Sequence, residues 1–373
     1  MKTILFVDNS TRCFYIFRLP VAKAFLQLGF NVYVMSPAPY DYFVDKIEEL
    51  GIKHIPYTIS SKLSPIKDFA LFLSFYKQYK IISPDIIVHY TIKPNIYGSI
   101  AADIRRIPSI SIIPGTGSLF KKNGLLAKLV IFLYKVAFRN TKKVWVLNKE
   151  DYNSLQEKNI VNKNRLEILP GEGINTSFFN SSKEYKKHHP FIFLYLGRML
   201  REKGVEIIAQ ASRILHKNGI CSFEIHLLGL VDGLSKDVIS INEIHEWEKE
   251  GIIRYLGSSN DVRKNIEDSD CIILPSFYGE GVPRSLMEGC SMKRVALTTD
   301  NVGCRDVVED NYNGILCKPK SAEDLADKMK IIMSLSEEKL KQMGENGRQK
   351  IEKQFKEEII VQRYINEITK LIY

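Results

Sequence analysis

The six cysteines of this 373-residue chain, at positions 13, 221, 271, 290, 304 and 317, include no CxxC pair. That excludes a zinc ribbon and a disulfide-stapled scaffold, and points to buried or free thiols in a reducing compartment. Histidine is also scarce: the seven present show no HExxH motif and no paired ligand spacing, so no metal is expected. The longest greasy stretch, Leu125 to Phe138, is interrupted by Lys128 and Lys135. It falls short of the ~20 apolar residues a spanning helix needs. In MKTILFVD only five residues separate Lys2 from Asp8, too few for the apolar core of a signal peptide, and the segment reads as a first strand. Low-complexity tracts are missing. A content of 45% hydrophobic and 26% charged residues is that of a folded chain, whose length suggests two domains.

Charge is unevenly divided. Residues 1 to 180 carry 24 Lys and Arg against 13 Asp and Glu, whereas residues 181 to 373 carry 29 against 30. A basic half points to a polyanionic or membrane-surface partner, or to a solvated basic face. Nucleic acid is not expected, because neither a helix-turn-helix nor a set of stacking aromatics on a sheet is legible.

Runs rich in Ile, Val and Phe recur between helical stretches: TILFVD, NVYVMS, IKHIPY, DIIVHY, SISII and KVWVL in the first half, then FIFLYLG, SFEIHLLG, IIRYLG, DCIILPS, RVALTT and GILC. Apolar runs of this length, separated by helices such as Arg18 to Leu28 and Pro65 to Ile82, predict buried parallel strands in two doubly wound α/β domains. The segment LPGEGINTSFFNSSKEYKKHHP has no periodicity and reads as the linker. The expected division is residues 1–172, a linker at 173–189, a second domain at 190–356, and a helix at 357–373 returning to the first domain. Ligand is expected in a cleft at the strand C-termini.

Two stretches could carry chemistry. In PSFYGEGVPRSLMEG, residues 275–289, a strand leads into a loop holding Glu280 and Gly281, and a helix beginning at Pro283 carries Glu288. Amides near Arg284 and Ser285 would favour phosphate, and the carboxylates suit sugar or ribose hydroxyls. The same stretch also reads as a plain strand, loop and capped helix with two solvated glutamates. In YLGRMLREKG, Arg198 and Lys203 flank a turn past a strand end, an arrangement a diphosphate would want, although such residues are often surface cations.

These motifs, with CIILPS and TTDNVGCRDVVEDNYNGIL, resemble the donor domain of glycosyltransferase family 4, retaining enzymes of the GT-B fold. FRLPVAKAFLQLGFNVYVMSP, HYTIKPNIYGSIAA and LPGEGINTSFF are similar to the subgroup that adds hexose or N-acetylhexosamine to polyprenyl-diphosphate-linked sugars. The resemblance implies an α/β fold of two Rossmann-like domains facing across a cleft. It implies catalytic roles for Arg198, Lys203 and Glu280. Gly281, Val282, Arg284, Ser285 and Glu288 would bind the donor, with Arg198 and Lys203 on the diphosphate, Glu280 on sugar hydroxyls and Glu288 on the ribose. On the acceptor side stand Asn9, His89, Lys93, Asn95 and Thr116. No nucleophile on the protein and no cofactor are implied, and the substrate would be a nucleotide sugar, by family weight UDP-linked. Two departures stand out: the first strand-to-helix loop, DNSTRCF, has no glycine, and the histidine that many members carry after the strand ending at Ile113 is replaced by IIPGTGSLF.

Asp268 and Asp270 of the DSD sequence precede a core strand and are not expected to bind metal. Lys121, Lys122, Lys128, Lys135 and Arg139 are interleaved with Leu125, Leu126, Leu129, Phe132 and Leu133, and Lys128, Lys135 and Arg139 share a helical face. This reads as a face for an anionic membrane surface, or as a core helix with a wet basic edge. The expected protein is a cytoplasmic glycosyltransferase, peripheral to the inner face of the membrane, acting on a lipid-linked saccharide. Epimerase or hydrolase chemistry on the same fold, with His89 as the candidate acid or base, and a silent nucleotide-sugar binder are the alternatives.

Overall fold

The computed structural model describes residues 1–37, 42–60, 64–115, 124–181, 183–231 and 237–373. The chain forms two compact units, one of Met1–Gly173 with Glu357–Tyr373, the other of Ile174–Lys356.

The first unit is built on seven parallel strands: β1 (Thr3–Val7), β2 (Asn31–Ser36), β3 (Lys53–Pro56), β4 (Ile86–Tyr90), β5 (Ser109–Ile113), β6 (Lys143–Val146) and β7 (Leu166–Ile168). Their spatial order is 3-2-1-4-5-6-7. Every residue of β4, β5 and β6 is buried, as expected of strands covered by helices on both faces. β7 was not anticipated: it is three residues long and buries only Leu166, too little for a pattern. The C-terminal helix Glu357–Ile372 packs on this unit. Tyr364 meets Trp145 edge-on at 4.8 Å and accepts a hydrogen bond from Tyr90 Oη at 3.1 Å.

The helix expected from Arg18 begins earlier. Ser10 caps a first turn at Thr11–Cys13 by accepting from the Cys13 amide at 3.2 Å, and a π-helical turn, Phe14–Arg18, joins it to Leu19–Gln27. A second π turn, Pro94–Gly98, follows β4. Both lie just past the C-terminal ends of neighbouring strands, where such insertions commonly re-aim functional side chains.

The second unit has six parallel strands: β8 (Phe191–Leu196), β9 (Phe223–Leu228), β10 (Arg254–Tyr255), β11 (Cys271–Leu274), β12 (Val295–Thr299) and β13 (Gly314–Cys317), in the order 10-9-8-11-12-13. Asp270 is buried before β11 and accepts from Tyr185 Oη at 2.7 Å, the His188 amide at 3.0 Å and the Ile192 amide at 2.7 Å. The aspartate of DSD is therefore a structural acceptor that anchors the start of β8. In each unit the winding reverses between two neighbours, β1 and β4 in the first, β8 and β11 in the second. In doubly wound sheets such a reversal, at the C-terminal ends of the strands, is where ligands bind.

Candidate active site

In the second unit three loops meet at the β8/β11 edge. The loop after β8 runs through Arg198 to a 3-10 turn at Arg201–Lys203, and Gly204 then starts the helix Val205–Lys217. Gly204 has a φ of +81°, and a Cβ there would lie 2.2 Å from the Pro275 carbonyl oxygen. Only glycine lets this loop lie against the one after β11. The Phe277 and Tyr278 amides then donate to the Glu202 carbonyl at 3.1 and 3.2 Å. On the opposite side Gly303, at φ +77°, approaches the Gly281 and Glu280 carbonyls, and Asn301 Nδ2 donates to the Tyr278 carbonyl at 2.7 Å. The Glu280 loop is thus held from both flanks.

These approaches bring Lys203 Nζ onto Glu280 Oε1 as an ion pair, and Ser276 Oγ donates to the same oxygen at 2.9 Å. Glu280 is buried, Lys203 half-buried and Arg198 exposed at the rim. The helix Arg284–Ser291 follows. Pro283 occupies its N-cap with no side-chain cap bond, which leaves first-turn amides for an anion. Arg284 Nε donates to Glu288 Oε1 at 2.8 Å one turn on. Burial pushes the Glu288 carboxyl above its ordinary range, opposed by the Arg284 charge. Gly281, Val282 and Ser285 are half-buried beside them. Three cations, an uncapped helix start and two carboxylates therefore share one edge. Such a set can hold a diphosphate and the hydroxyls of what it carries.

The first unit treats its expected residues less uniformly. Asn9 is exposed after β1. Lys93 is paired with Asp68 at 2.5 Å. Asn95 is fully buried and donates from Nδ2 to the Ile112 carbonyl at 2.7 Å, so it braces the β5 end instead of meeting an acceptor. His89 requires the larger correction. It lies fully buried in β4, its Nε2 is 2.9 Å from Tyr79 Oη, and a Cβ on Gly98 would sit 2.6 Å from its ring. Desolvation lowers its pKa to about 3. It is a core histidine, and no acceptor can reach it. Thr116, Lys121 and Lys122 fall outside the described residues.

His89 binds fewer protons folded than unfolded across the interval from its folded pKa up to the ordinary 6.5, so stability falls as pH drops below about 6.5 and is unaffected above it. The difference between wild type and His89→Asn in urea-unfolding free energy should change by about 1.4 kcal/mol per pH unit between pH 6 and 4. A pH-independent difference would contradict the neutral, buried assignment.

Sequence reasoning missed a buried cluster next to Asn9. Arg18 lies with Nε 3.3 Å from Asp8 Oδ2, off the axis of a good hydrogen bond, and with Nη2 2.9 Å from Glu172 Oε1. Its guanidinium also stacks over the Tyr90 ring at 4.7 Å. The visible signal was an arginine inside the apolar run FYIFRLP and an aspartate ending a core strand.

The helix Leu125–Ala137 buries Ala127, Val130, Tyr134 and Ala137. Leu125, Leu126, Leu129, Phe132 and Val136 are exposed, with Lys128, Lys135 and Arg139 exposed beside them. Leu125, Leu126, Leu129 and Phe132 are therefore an outward face, whereas Leu133 is half-buried against the core. No helix among the described residues is long and apolar enough to cross a membrane.

The family model for glycosyl transferases group 1 matches residues 177–350, and that for glycosyl transferase 4-like proteins matches residues 3–148. The chain is 28% identical, over 98% of both sequences, to an N,N'-diacetylbacillosaminyl-diphospho-undecaprenol alpha-1,3-N-acetylgalactosaminyltransferase of Campylobacter jejuni. It is 23% identical to a UDP-Gal:alpha-D-GlcNAc-diphosphoundecaprenol alpha-1,3-galactosyltransferase of Escherichia coli, over 87% of this chain and 84% of the other. Among solved structures its fold matches a glycosyltransferase from Rickettsia africae with a TM-score of 0.82 at 19% identity, covering 100% and 98% of the two chains. It also matches Anabaena HepE bound to UDP and glucose with a TM-score of 0.80 at 16% identity, covering 99% and 100%.

Proposed function

The chain belongs to the glycosyl transferases of group 1 with the GT-B fold, and on that basis we propose that it moves a hexose or N-acetylhexosamine from a UDP-sugar onto a polyprenyl-diphosphate-linked saccharide, with retention at the anomeric carbon. The observation that carries this reading is the cation and carboxylate set at the β8/β11 edge. In it Lys203 and Glu280 are paired and the uncapped start of Arg284–Ser291 lies one loop away. The two relatives named above act, by their names, on diphospho-undecaprenol-linked sugars.

In this reading the donor diphosphate replaces Glu280 as the counter-ion of Lys203, with Arg198 closing from the rim and the Arg284 and Ser285 amides meeting the phosphates. Glu280, released, accepts from the donor sugar's hydroxyls, and Glu288 from those of the ribose. The new bond from the acceptor oxygen to the anomeric carbon forms on the face from which the diphosphate leaves, and the departing phosphate oxygen takes the acceptor proton. The protein's share is positioning and stabilisation of leaving-group charge by groups fixed before reaction. Epimerase or hydrolase chemistry would need an acid and a base at the site, and the histidine it relied on, His89, is enclosed in the core. Because the acceptor is a lipid, the enzyme works at the inner face of the cytoplasmic membrane, with Lys128, Lys135 and Arg139 facing the anionic surface.

The two glutamates separate the roles. Glu288→Ala should weaken UDP binding about tenfold, the loss of a charge-assisted hydrogen bond, with transfer at saturating donor largely kept. Glu280→Ala should leave UDP binding near wild type and lower transfer at saturating donor. Calorimetric titration of UDP beside saturated turnover checks both, and equal losses of UDP affinity would sink the division.

A further inference from the structure

The outward apolar face is not confined to Leu125–Ala137. The helix Pro65–Ile82 buries Leu71, Phe75 and Tyr79 against the sheet, yet leaves Ile66 85% and Phe69 60% exposed, with Leu73 exposed a turn further on. On the other helix Leu125 is 87% and Phe132 60% exposed. The helices lead from β3 to β4 and from β5 to β6. Both crossovers advance in the same direction across a parallel sheet, and right-handed connection puts them on the same side of it. The turn Pro94–Gly98 lies between them, and Tyr97 packs into the buried clusters under both. Each helix runs antiparallel to the strands, so Ile66, Phe69, Leu125, Leu126 and Leu129 gather at the strand C-terminal edge, where Asn9 also lies.

Charge selects the occupant. Neither helix carries an exposed carboxylate, since the one acidic residue in the pair, Asp68, is buried on Lys93. Lys67, Lys77, Lys80, Lys128 and Lys135 are exposed around the apolar patch. A second copy would bring the same cations face to face, whereas an anionic lipid surface supplies counter-charge for the rim and hydrocarbon for the patch. We propose that Pro65–Ile82 and Leu125–Ala137 together form the bilayer-docking face of the first unit, with Ile66, Phe69 and Leu73 as a second insertion edge beside Leu126, Leu129 and Phe132. This deepens the lipid-linked acceptor reading and rests on it for its purpose: docking at this edge presents the acceptor residues to substrate held in the membrane.

The test compares wild type with two triple variants, Ile66→Ser/Phe69→Ser/Leu73→Ser and Leu126→Ser/Leu129→Ser/Phe132→Ser. Binding is read by co-sedimentation with vesicles of phosphatidylcholine and phosphatidylglycerol. Each triple should lower partitioning about tenfold or more, and wild-type binding should weaken with salt. All these side chains are exposed, so unchanged circular dichroism and thermal midpoint are expected. Wild-type binding by the Ile66/Phe69/Leu73 variant, with loss confined to the other, would overturn the two-helix face. So would a wild-type dimer in sedimentation velocity that this variant dissolves, since the patch would then be meeting a second copy. Transfer to a detergent-dispersed acceptor should be unchanged in both triples. Vesicle binding as described without transfer from any donor would support the face while overturning the proposed function.

Discussion

Lys203→Ala is expected to lower transfer by on the order of a hundredfold, the usual cost of removing one charge-stabilising group from a leaving site, while the protein stays folded. Lys203 is half-buried at the end of a 3-10 turn whose backbone bonds it does not supply by its side chain, and it is ion-paired with Glu280. Truncation therefore leaves Glu280 held by Ser276 and removes the positive end of the site. Lys203→Arg should recover part of the loss, because the charge returns in a planar fork instead of a point. Saturating-donor turnover measures it. A Lys203→Ala enzyme turning over as wild type would show that the diphosphate is held elsewhere.

The largest expected loss of stability follows Arg18→Met. Arg18 is 4% exposed and serves two carboxylates, Asp8 and Glu172, with Asp8 fully buried and its carboxyl pushed up by that burial. Removing one partner of a buried ionic group typically costs about 3–5 kcal/mol, since the charge left behind is unpaired. Denaturant unfolding followed by Trp145 fluorescence should show that loss in the first unit. The triple Arg18→Met/Asp8→Asn/Glu172→Gln should restore a good part of it, because no bare charge remains. A single-variant loss of about 1 kcal/mol or less, the range of surface pairs, would contradict the reading of a buried network.

The parallel ladders were legible because strands covered on both faces are apolar nearly throughout: β8 and β11 are so at every position, and β4 and β5 are broken only by His89 and by Ser109 and Ser111. The three-residue β7 was not, because a single buried leucine makes no pattern. Pro20 drew the expected helix start to Arg18, whereas the capping by Ser10 and a π turn carry the helix back to Thr11. At the donor edge the crowding of Lys203 with Glu280 followed from both loops leaving adjacent strands at the winding reversal. The glycines that permit the approach, Gly204 and Gly303, were visible only as letters. The Asp8, Arg18 and Glu172 cluster joins residues that topology alone brings together. On Leu125–Ala137 the periodicity separates two faces without saying which one meets the sheet. The leucines fitted a membrane face or a core helix with a wet edge, and it is the Ala127, Val130, Tyr134 and Ala137 face that packs.

Retaining transfer to a lipid-linked acceptor is decided by the anomeric configuration of the product, read by NMR after incubation of the enzyme with UDP-N-acetylgalactosamine or UDP-galactose and a short-chain polyprenyl-diphosphate-linked saccharide. One new α-linked sugar on the acceptor, with stoichiometric release of UDP, is expected. A β-linked product, or free sugar or epimerised nucleotide sugar with the acceptor unchanged, would contradict it.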